Sequence, residues 1–156
     1  MTPNETGAPA AGGGLEGAAP RSFQLALRVG EGDLDERRHV NNVVYLRWVQ
    51  DVATAHWRAV ASAEAQVEVA WVALRHEIDY KAAGVLGDDL VVRTWVGEAE
   101  GLTFERHTEV LRAADGRLLA RARTLWCPVD ARNGRPRRVT AQIRAQFSTA
   151  ARADPG

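Results

Sequence analysis

The sequence has very little cysteine and no excess of positive or negative charge. Its 156 residues include one cysteine, Cys127, so no disulfide can form within the chain and an oxidising compartment is not required. Lys and Arg together number 20, as do Asp and Glu, which gives a formal net charge of zero. A broad nucleic-acid-binding surface needs an excess of basic residues. The balance therefore argues against a nucleic acid partner, while a local cluster of arginines remains compatible with it.

Long apolar runs are also missing. No run approaches the roughly 20 residues that a membrane-spanning helix needs. Residues 1–20 are rich in Gly, Ala, Pro and Thr, and they lack the basic start and apolar core of a secretory signal. We interpret them as a disordered tail, because they cannot bury enough apolar surface to offset the entropy cost of ordering. Residues 21–150 then form one domain, for which we expect a cytoplasmic location and no membrane association.

The first half of that domain predicts one strand, one loop and one long helix. Apolar residues alternate with polar ones from Phe23 to Val29, which is typical of a strand with one buried face. The polar stretch 30–39 predicts a loop. From 43 to 60 the apolar residues recur at steps of three and four, which indicates a helix of about five turns, and Asn41 and Asn42 suit its N-terminal cap. Residues 62–68 are interpreted as a linker.

The second half predicts strands joined largely by hairpins. Alternation over 72–80 indicates a strand whose buried face carries Val72, Leu74, His76, Ile78 and Tyr80. Further strands are expected near 90–96, 102–111 and 118–129, with turn signals at 115–116 and 133–134 and a short final helix after Thr140. Strands and helices do not alternate, which argues against a doubly wound parallel sheet. An antiparallel sheet covered by the single long helix fits the order of elements.

Two segments in this frame resemble a known family. They read Gly32-Asp33-Leu34-Asp35 and His39-Val40-Asn41-Asn42, followed by Tyr45-Leu46. Together with the downstream pattern in 78–88, they resemble the hotdog thioesterases of the 4-hydroxybenzoyl-CoA thioesterase type, over roughly residues 23–138. The resemblance implies an α+β hotdog fold, in which an antiparallel sheet wraps around a long central helix. It also implies a homodimer or a tetramer of dimers, with one continuous sheet and active sites at the subunit interface.

The resemblance assigns catalytic roles to three positions. Asp35 matches the catalytic carboxylate, which acts as a nucleophile or a general base. Asn42 matches the position whose backbone N–H, at the positive end of the helix, stabilises the oxyanion. His39 matches a residue of acyl-ACP thioesterases, which are thought to use Asp, Asn and His together. The Asn position of that set is Arg37 here, and this departure argues against the acyl-ACP mechanism.

The predicted function is hydrolysis of an acyl-CoA thioester to a free acid and CoA, without a cofactor. Three alternatives remain: an acyl-ACP thioesterase, a hotdog dehydratase or hydratase, and a non-catalytic binder of acyl thioesters. His39 is expected to orient the substrate, to pair with Asp35, or to hydrogen-bond the loop. Asp33 is expected to hold backbone N–H groups of the loop.

The remaining polar residues favour structural roles. His56 and His76 are expected in the core, His107 at the surface and Cys127 buried in its strand. No histidine lies at metal-ligand spacing from other ligands, so no metal is predicted. The five tryptophans suit the core or a subunit interface or, for one or two of them, the wall of an acyl pocket. Arg132, Arg135, Arg137 and Arg138 fit a solvated turn or, alternatively, a site for the phosphates of CoA.

Overall fold

The computed structural model describes residues 21–148. Its strands and α-helices are, in chain order, β1 Phe23–Arg28, α1 Asn42–Val60, α2 Ala63–Glu68, β2 Val69–Tyr80, β3 Asp89–Glu100, β4 Thr103–Arg112, β5 Leu118–Asp130 and α3 Ala141–Gln146. The predicted tail, residues 1–20, and the predicted domain end at 150 lie outside the described residues.

The five strands form one antiparallel sheet in the order β1-β3-β4-β5-β2. Strands β1 and β2 are its edges. The central helix α1 lies across the inner face, where its apolar stripe packs against side chains of β1 and β3–β5. This arrangement confirms the predicted α+β hotdog architecture.

Helix α1 begins at a defined cap and buries one face along its length. The Asn41 side chain accepts a hydrogen bond from the Val43 N–H at 3.2 Å, as an N-cap residue does. Asn42, the other predicted cap, is the first helical residue. The helix ends where the Ala61 N–H donates to the Trp57 carbonyl. Within residues 21–148, no helix is long and apolar enough to cross a membrane.

Strand β2 carries a bulge that the alternation pattern did not predict. Its register with β5 shifts between Ala73 and Arg75, which leaves Leu74 as the extra residue. One inserted residue reverses which side chains face the core. Val72 and Leu74 are therefore 46% and 55% exposed, and their predicted burial is wrong, while Ile78 beyond the bulge packs against the core. His76 is half-buried and bonds Thr124 through Nδ1 at 2.9 Å.

The predicted linker at 62–68 is wrong as well. Residues Ala63–Glu68 form α2, because Ser62 caps it by accepting the Ala65 N–H at 3.1 Å and the segment is rich in good helix formers. This short helix turns the chain from the end of α1 into the edge strand β2.

A polar cluster lies buried between α1 and the sheet. Arg106 on β4 donates from Nη1 to His56 Nδ1 and to Thr94 Oγ1, both at 3.0 Å. Because arginine has only donors, the His56 Nδ1 is the acceptor and carries no proton. Burial, reinforced by the charge of Arg106, lowers the pKa of His56 to about 3. His56 is therefore a buried neutral residue, as the sequence predicted.

This neutral histidine makes stability depend on pH. The unfolded chain binds a proton at His56 below about pH 6.5, whereas the folded chain resists it until about pH 3. The free energy of unfolding should thus fall on acidification through this window, by up to a few kcal/mol in total. We expect His56→Gln, which keeps an acceptor but does not titrate, to lose less stability than the wild type between about pH 6.5 and 4.5 in urea denaturation. Parallel pH profiles would contradict the assignment.

Candidate active site

The predicted loop is a tight hairpin that leads directly into α1. Leu34 and Val40 form an antiparallel bridge, and the Asp35 N–H donates to the His39 carbonyl at 2.8 Å. The Asn41 N–H then donates to the Asp33 carbonyl at 2.9 Å. The chain reverses direction at Arg38, whose φ of 62° lies in the left-handed region. The hairpin therefore fixes Asp35 opposite the segment that becomes the helix N-terminus.

The two oxygens of the Asp35 carboxyl group have different environments. Oδ1 accepts the N–H groups of Arg37 at 2.9 Å and His39 at 3.2 Å. Oδ2 has no hydrogen-bond partner among residues 21–148. Since the side chain is also partly exposed, one oxygen orders the hairpin while the other is available to a substrate or a water molecule.

Asp33 fastens the hairpin to its surroundings. Its Oδ2 accepts the Gly30 N–H at 2.9 Å, and its Oδ1 pairs with Nη2 of Arg47 on α1 at 2.6 Å. This is the backbone-holding role predicted for Asp33. The ion pair adds a direct tie between the loop and the central helix.

The start of α1 offers a free donor. The Val43 N–H donates to the Asn41 side chain, but the N–H of Asn42 has no partner among the described residues. Unpaired N–H groups in the first turn carry the positive end of the helix dipole. The Asn42 carbonyl accepts the Tyr80 hydroxyl at 3.1 Å, which connects this turn to the end of β2. The sequence pattern did not predict this contact: it places Tyr80 on the buried face of its strand, and that placement is wrong, because Tyr80 is 46% exposed.

His39 contacts Asp35 through its backbone. Its N–H bonds the Asp35 carboxylate, and its backbone also bridges Val85. The imidazole ring forms no hydrogen bond with residues 21–148, so the predicted pairing of the ring with Asp35 is absent here. A role in orienting the substrate remains a prediction.

Gly84 connects the hairpin to the central helix through two hydrogen bonds of its backbone. Its N–H donates to the hydroxyl of buried Tyr45 at 3.0 Å, and its carbonyl accepts the Val40 N–H at 2.9 Å. A Cβ atom at Gly84 would lie 2.9 Å from Val40 Cγ2. The sequence marked this glycine only as the end of a strand, since the contact joins segments distant in sequence.

The predicted arginine cluster lies elsewhere in the fold. Arg132, Arg135 and Arg137 line a cavity of about 430 Å³ together with Glu68 and Asp130, whereas Arg138 does not line it. Asp130 accepts the N–H groups of the turn, including that of Arg132 at 2.8 Å. Binding of CoA phosphates by this cluster stays a prediction. Residues 21–148 contain no group of three His, Cys, Asp or Glu side chains able to hold a metal.

A larger cavity of about 580 Å³ opens between α1 and the inner face of the sheet. It lies beside the middle and the C-terminal half of α1, and five of its 16 lining residues are aromatic. A volume of this size suits a small organic ligand.

Comparison with known proteins places the chain in a family. The sequence model of the thioesterase-like superfamily matches residues 29–147, and the chain belongs to this family. No curated protein sequence matches it.

Three solved structures illustrate the shared fold. A mutant of 4-hydroxybenzoyl-CoA thioesterase complexed with 4-hydroxybenzoyl-CoA has a TM-score of 0.73 and 18% identity, and the match covers 81% of this chain and 99% of that one. For the dynemicin thioesterase these values are 0.72, 22%, 82% and 96%. For YbaW, a probable thioesterase from Escherichia coli, they are 0.69, 21%, 80% and 95%. The predicted family is confirmed, and the protein is a thioester hydrolase of the hotdog fold.

The close contact at Gly84 generates a prediction. Gly84→Ala should reduce the free energy of unfolding by about 1–3 kcal/mol, because the added methyl group must displace Val40. Thioesterase activity should fall with it, since Val40 immediately precedes the helix cap. Urea denaturation and thiol release measure the two effects. Gly32→Ala is the matched control, because a Cβ atom there meets nothing within 4 Å. Equal stability of the two variants would contradict this account.

Proposed function

We propose that the protein hydrolyses acyl-CoA thioesters, with Asp35 as the catalytic carboxylate and the Asn42 N–H as the oxyanion donor. The observation that carries the proposal is geometric: Asp35 Oδ2 has no hydrogen-bond partner among residues 21–148, and its hairpin runs into the Asn42 N–H, which is likewise unpaired within that range. Hydrolysis of a thioester requires these two groups, one to attack or activate water and one to receive negative charge.

The chemistry follows from the two groups. Asp35 Oδ2 either attacks the thioester carbon, forming an anhydride that water then cleaves, or removes a proton from the water that attacks. In both routes the carbonyl oxygen becomes an oxyanion beside the Asn42 N–H, and the C–S bond breaks as the oxyanion collapses. CoA leaves as its thiolate, which takes a proton from protonated Asp35 in the general-base route and from water in the anhydride route. One well-placed donor of this kind contributes roughly 10²–10³-fold in rate.

CoA is favoured over an acyl carrier protein as the thiol carrier. The acyl-ACP set of Asp, Asn and His is incomplete here, because Arg37 occupies the Asn position and contributes its backbone N–H to Asp35. We therefore expect faster hydrolysis of an acyl-CoA than of the acyl-ACP with the same chain. Thiol release without a change in enoyl absorbance would separate hydrolysis from dehydration or hydration, and binding without thiol release would indicate a binder.

The main prediction concerns Asp35. Asp35→Asn keeps an acceptor for the two hairpin N–H groups but is neither a base nor a competent nucleophile, so kcat/KM should fall at least about 10²-fold while the melting temperature changes little. Asp35→Ala should lose as much activity and some order of the hairpin. A thiol reagent with a panel of aromatic, short and long acyl-CoA esters measures the rates.

Glu36→Ala is the control for this experiment. Glu36 is an exposed acid in the same hairpin and has no ion pair or side-chain hydrogen bond among residues 21–148, so its loss should leave kcat/KM near the wild-type value. A folded Asp35→Asn protein with near wild-type thiol release would remove Asp35 from the mechanism.

We also propose that the chain forms a homodimer, or a tetramer of dimers, in which β2 edges pair into one continuous sheet. Strand β2 is a long edge strand, and the exposed apolar side chains of Val72 and Leu74 lie along it. An uncovered edge of this kind tends to pair with another chain. Size-exclusion chromatography with light scattering should give an even multiple of the 17.0 kDa chain mass. Val72→Lys should shift the distribution toward the monomer, and a monomeric wild type would refute the proposal.

A further inference from the structure

The cavity between α1 and the sheet has an aromatic wall. Five aromatic side chains contribute to it: Trp57, Trp71, Phe104, Trp126 and Phe147. They come from α1, β2, β4, β5 and the end of α3, so distant parts of the chain converge on this space. The rest of the lining is mixed and includes two carboxylates, the exposed Asp51 and Glu105, of which Glu105 is already paired with Arg123 and His107. Aromatic walls with a few polar groups favour an apolar ligand that carries a polar end.

One of those polar groups is a buried cation. Arg106 is only 4% exposed, yet it lines the cavity. Burial lowers the pKa of Arg106 to about 10, which leaves it charged at neutral pH. No carboxylate of residues 21–148 forms an ion pair with it. A buried charge without a counter-ion is costly, so an anion bound here would offset a large penalty.

The Nε–Nη2 edge of the Arg106 guanidinium is the edge with which arginine can bind both oxygens of a carboxylate. Both hydrogen bonds of the guanidinium leave from Nη1, while Nε and Nη2 have no hydrogen-bond partner in residues 21–148. The guanidinium also lies over the Phe147 ring, 5.4 Å from its centroid. Elsewhere in the chain this same Nε–Nη2 edge grips a carboxylate: Arg28 binds both oxygens of Asp89, at 2.8 and 3.2 Å. The planar fork of arginine is suited to such bidentate pairs.

The other unsatisfied groups of the wall are donors as well. The indole N–H groups of Trp71 and Trp126 are buried and have no acceptor within the described range 21–148. Buried polar groups are normally paired, so each exception needs an explanation. An oxygen-bearing ligand in the cavity would supply acceptors for both tryptophans and a counter-ion for Arg106.

We propose that the cavity binds the distal end of the acyl group and selects acyl chains that carry a carboxylate there, with Arg106 as the specificity-determining residue. The inference rests on the proposed thioesterase function. Gln50, the lining residue of α1 nearest to the helix start, lies eight residues beyond Asn42, which is roughly 12 Å along the helix. The terminal carboxylate is therefore expected well away from the thioester carbon.

Binding can be tested without any turnover. The tryptophans of the wall make intrinsic fluorescence a direct readout, and cyclohexanecarboxylate and cyclohexanecarboxamide are probes of the same shape that do not absorb with the protein. The carboxylate should bind at least about tenfold more tightly than the neutral amide, since hydrogen bonds to charged groups are the stronger ones. Equal affinity of the two probes for the wild type would overturn the proposal without reference to any variant.

Variants then locate the effect. Arg106→Gln should abolish the preference for the carboxylate, and Arg106→Lys should keep part of it, because the charge remains while the fork is lost. Arg58→Gln is the matched control, since Arg58 lines the same cavity from an exposed position, and it should keep the preference. Loss of the preference in Arg58→Gln with retention in Arg106→Gln would overturn the assignment. Thermal melting identifies any variant that is not folded.

Rates of hydrolysis provide a second test of the proposal. Wild-type kcat/KM should be at least about tenfold higher for an acyl-CoA with a terminal carboxylate than for the chain ending in a methyl group, at the best chain length of a series. Arg106→Gln should reduce this ratio to about one, whereas the control Arg58→Gln should keep it. Carboxylate binding without hydrolysis of any thioester would refute the proposed function alone. Hydrolysis with no preference for the terminal carboxylate would refute this inference alone.

Discussion

The backbone hydrogen bond from Asn41 to Asp33 joins the carboxylate-bearing hairpin to the start of the central helix, and the candidate site depends on it. Catalysis by this pair of groups requires a fixed relation between Asp35 and the first N–H of α1. In the hydrogen-bond ladder of the hairpin, the Asn41–Asp33 bond lies between Asp35 and the Asn42 N–H. The Asp33–Arg47 ion pair and the Gly84–Tyr45 contact restrain the same segment from two other sides. An active-site carboxylate held this way needs little reorganisation during the reaction.

The two ends of α1 differ in chemistry. Its N-terminus presents an N–H that no described residue pairs with, beside the hairpin of Asp35, whereas its C-terminal half borders a cavity with five aromatic side chains and a buried cation. His56 is the residue of α1 that contacts this buried cation. Its neutral ring accepts a hydrogen bond from Arg106 and stacks on Phe23 of β1. The helix thus supplies the candidate chemistry at one end and the proposed recognition at the other.

Patterns local in sequence predicted most of the fold. The helix from 42 to 60 and the hairpin strands were accessible because their periodicity and turn residues act over a few positions. The bulge at Leu74 was not, since a single extra residue leaves the apolar composition of the strand unchanged while it reverses the buried face. Helix α2 was missed because its short polar sequence resembles a linker.

The candidate site divides in the same way. Asp35, His39 and Asn42 were found through a contiguous motif, and Asp33 through its position in a polar loop. Tyr80, Gly84 and Arg106 were not found, because their contacts join residues 38 to 50 positions apart. No periodic pattern indicates that Arg106 has no counter-ion among residues 21–148, because that depends on how the sheet and the helix assemble.

A crystal structure of Asp35→Asn with a bound, slowly hydrolysed acyl-CoA tests the central claim most directly. The account predicts the thioester carbonyl oxygen at about 2.7–3.1 Å from the Asn42 nitrogen and the carbonyl carbon within about 3.5 Å of the side chain at position 35. A thioester bound away from the helix N-terminus, with residue 35 out of reach of its carbonyl carbon, would contradict it.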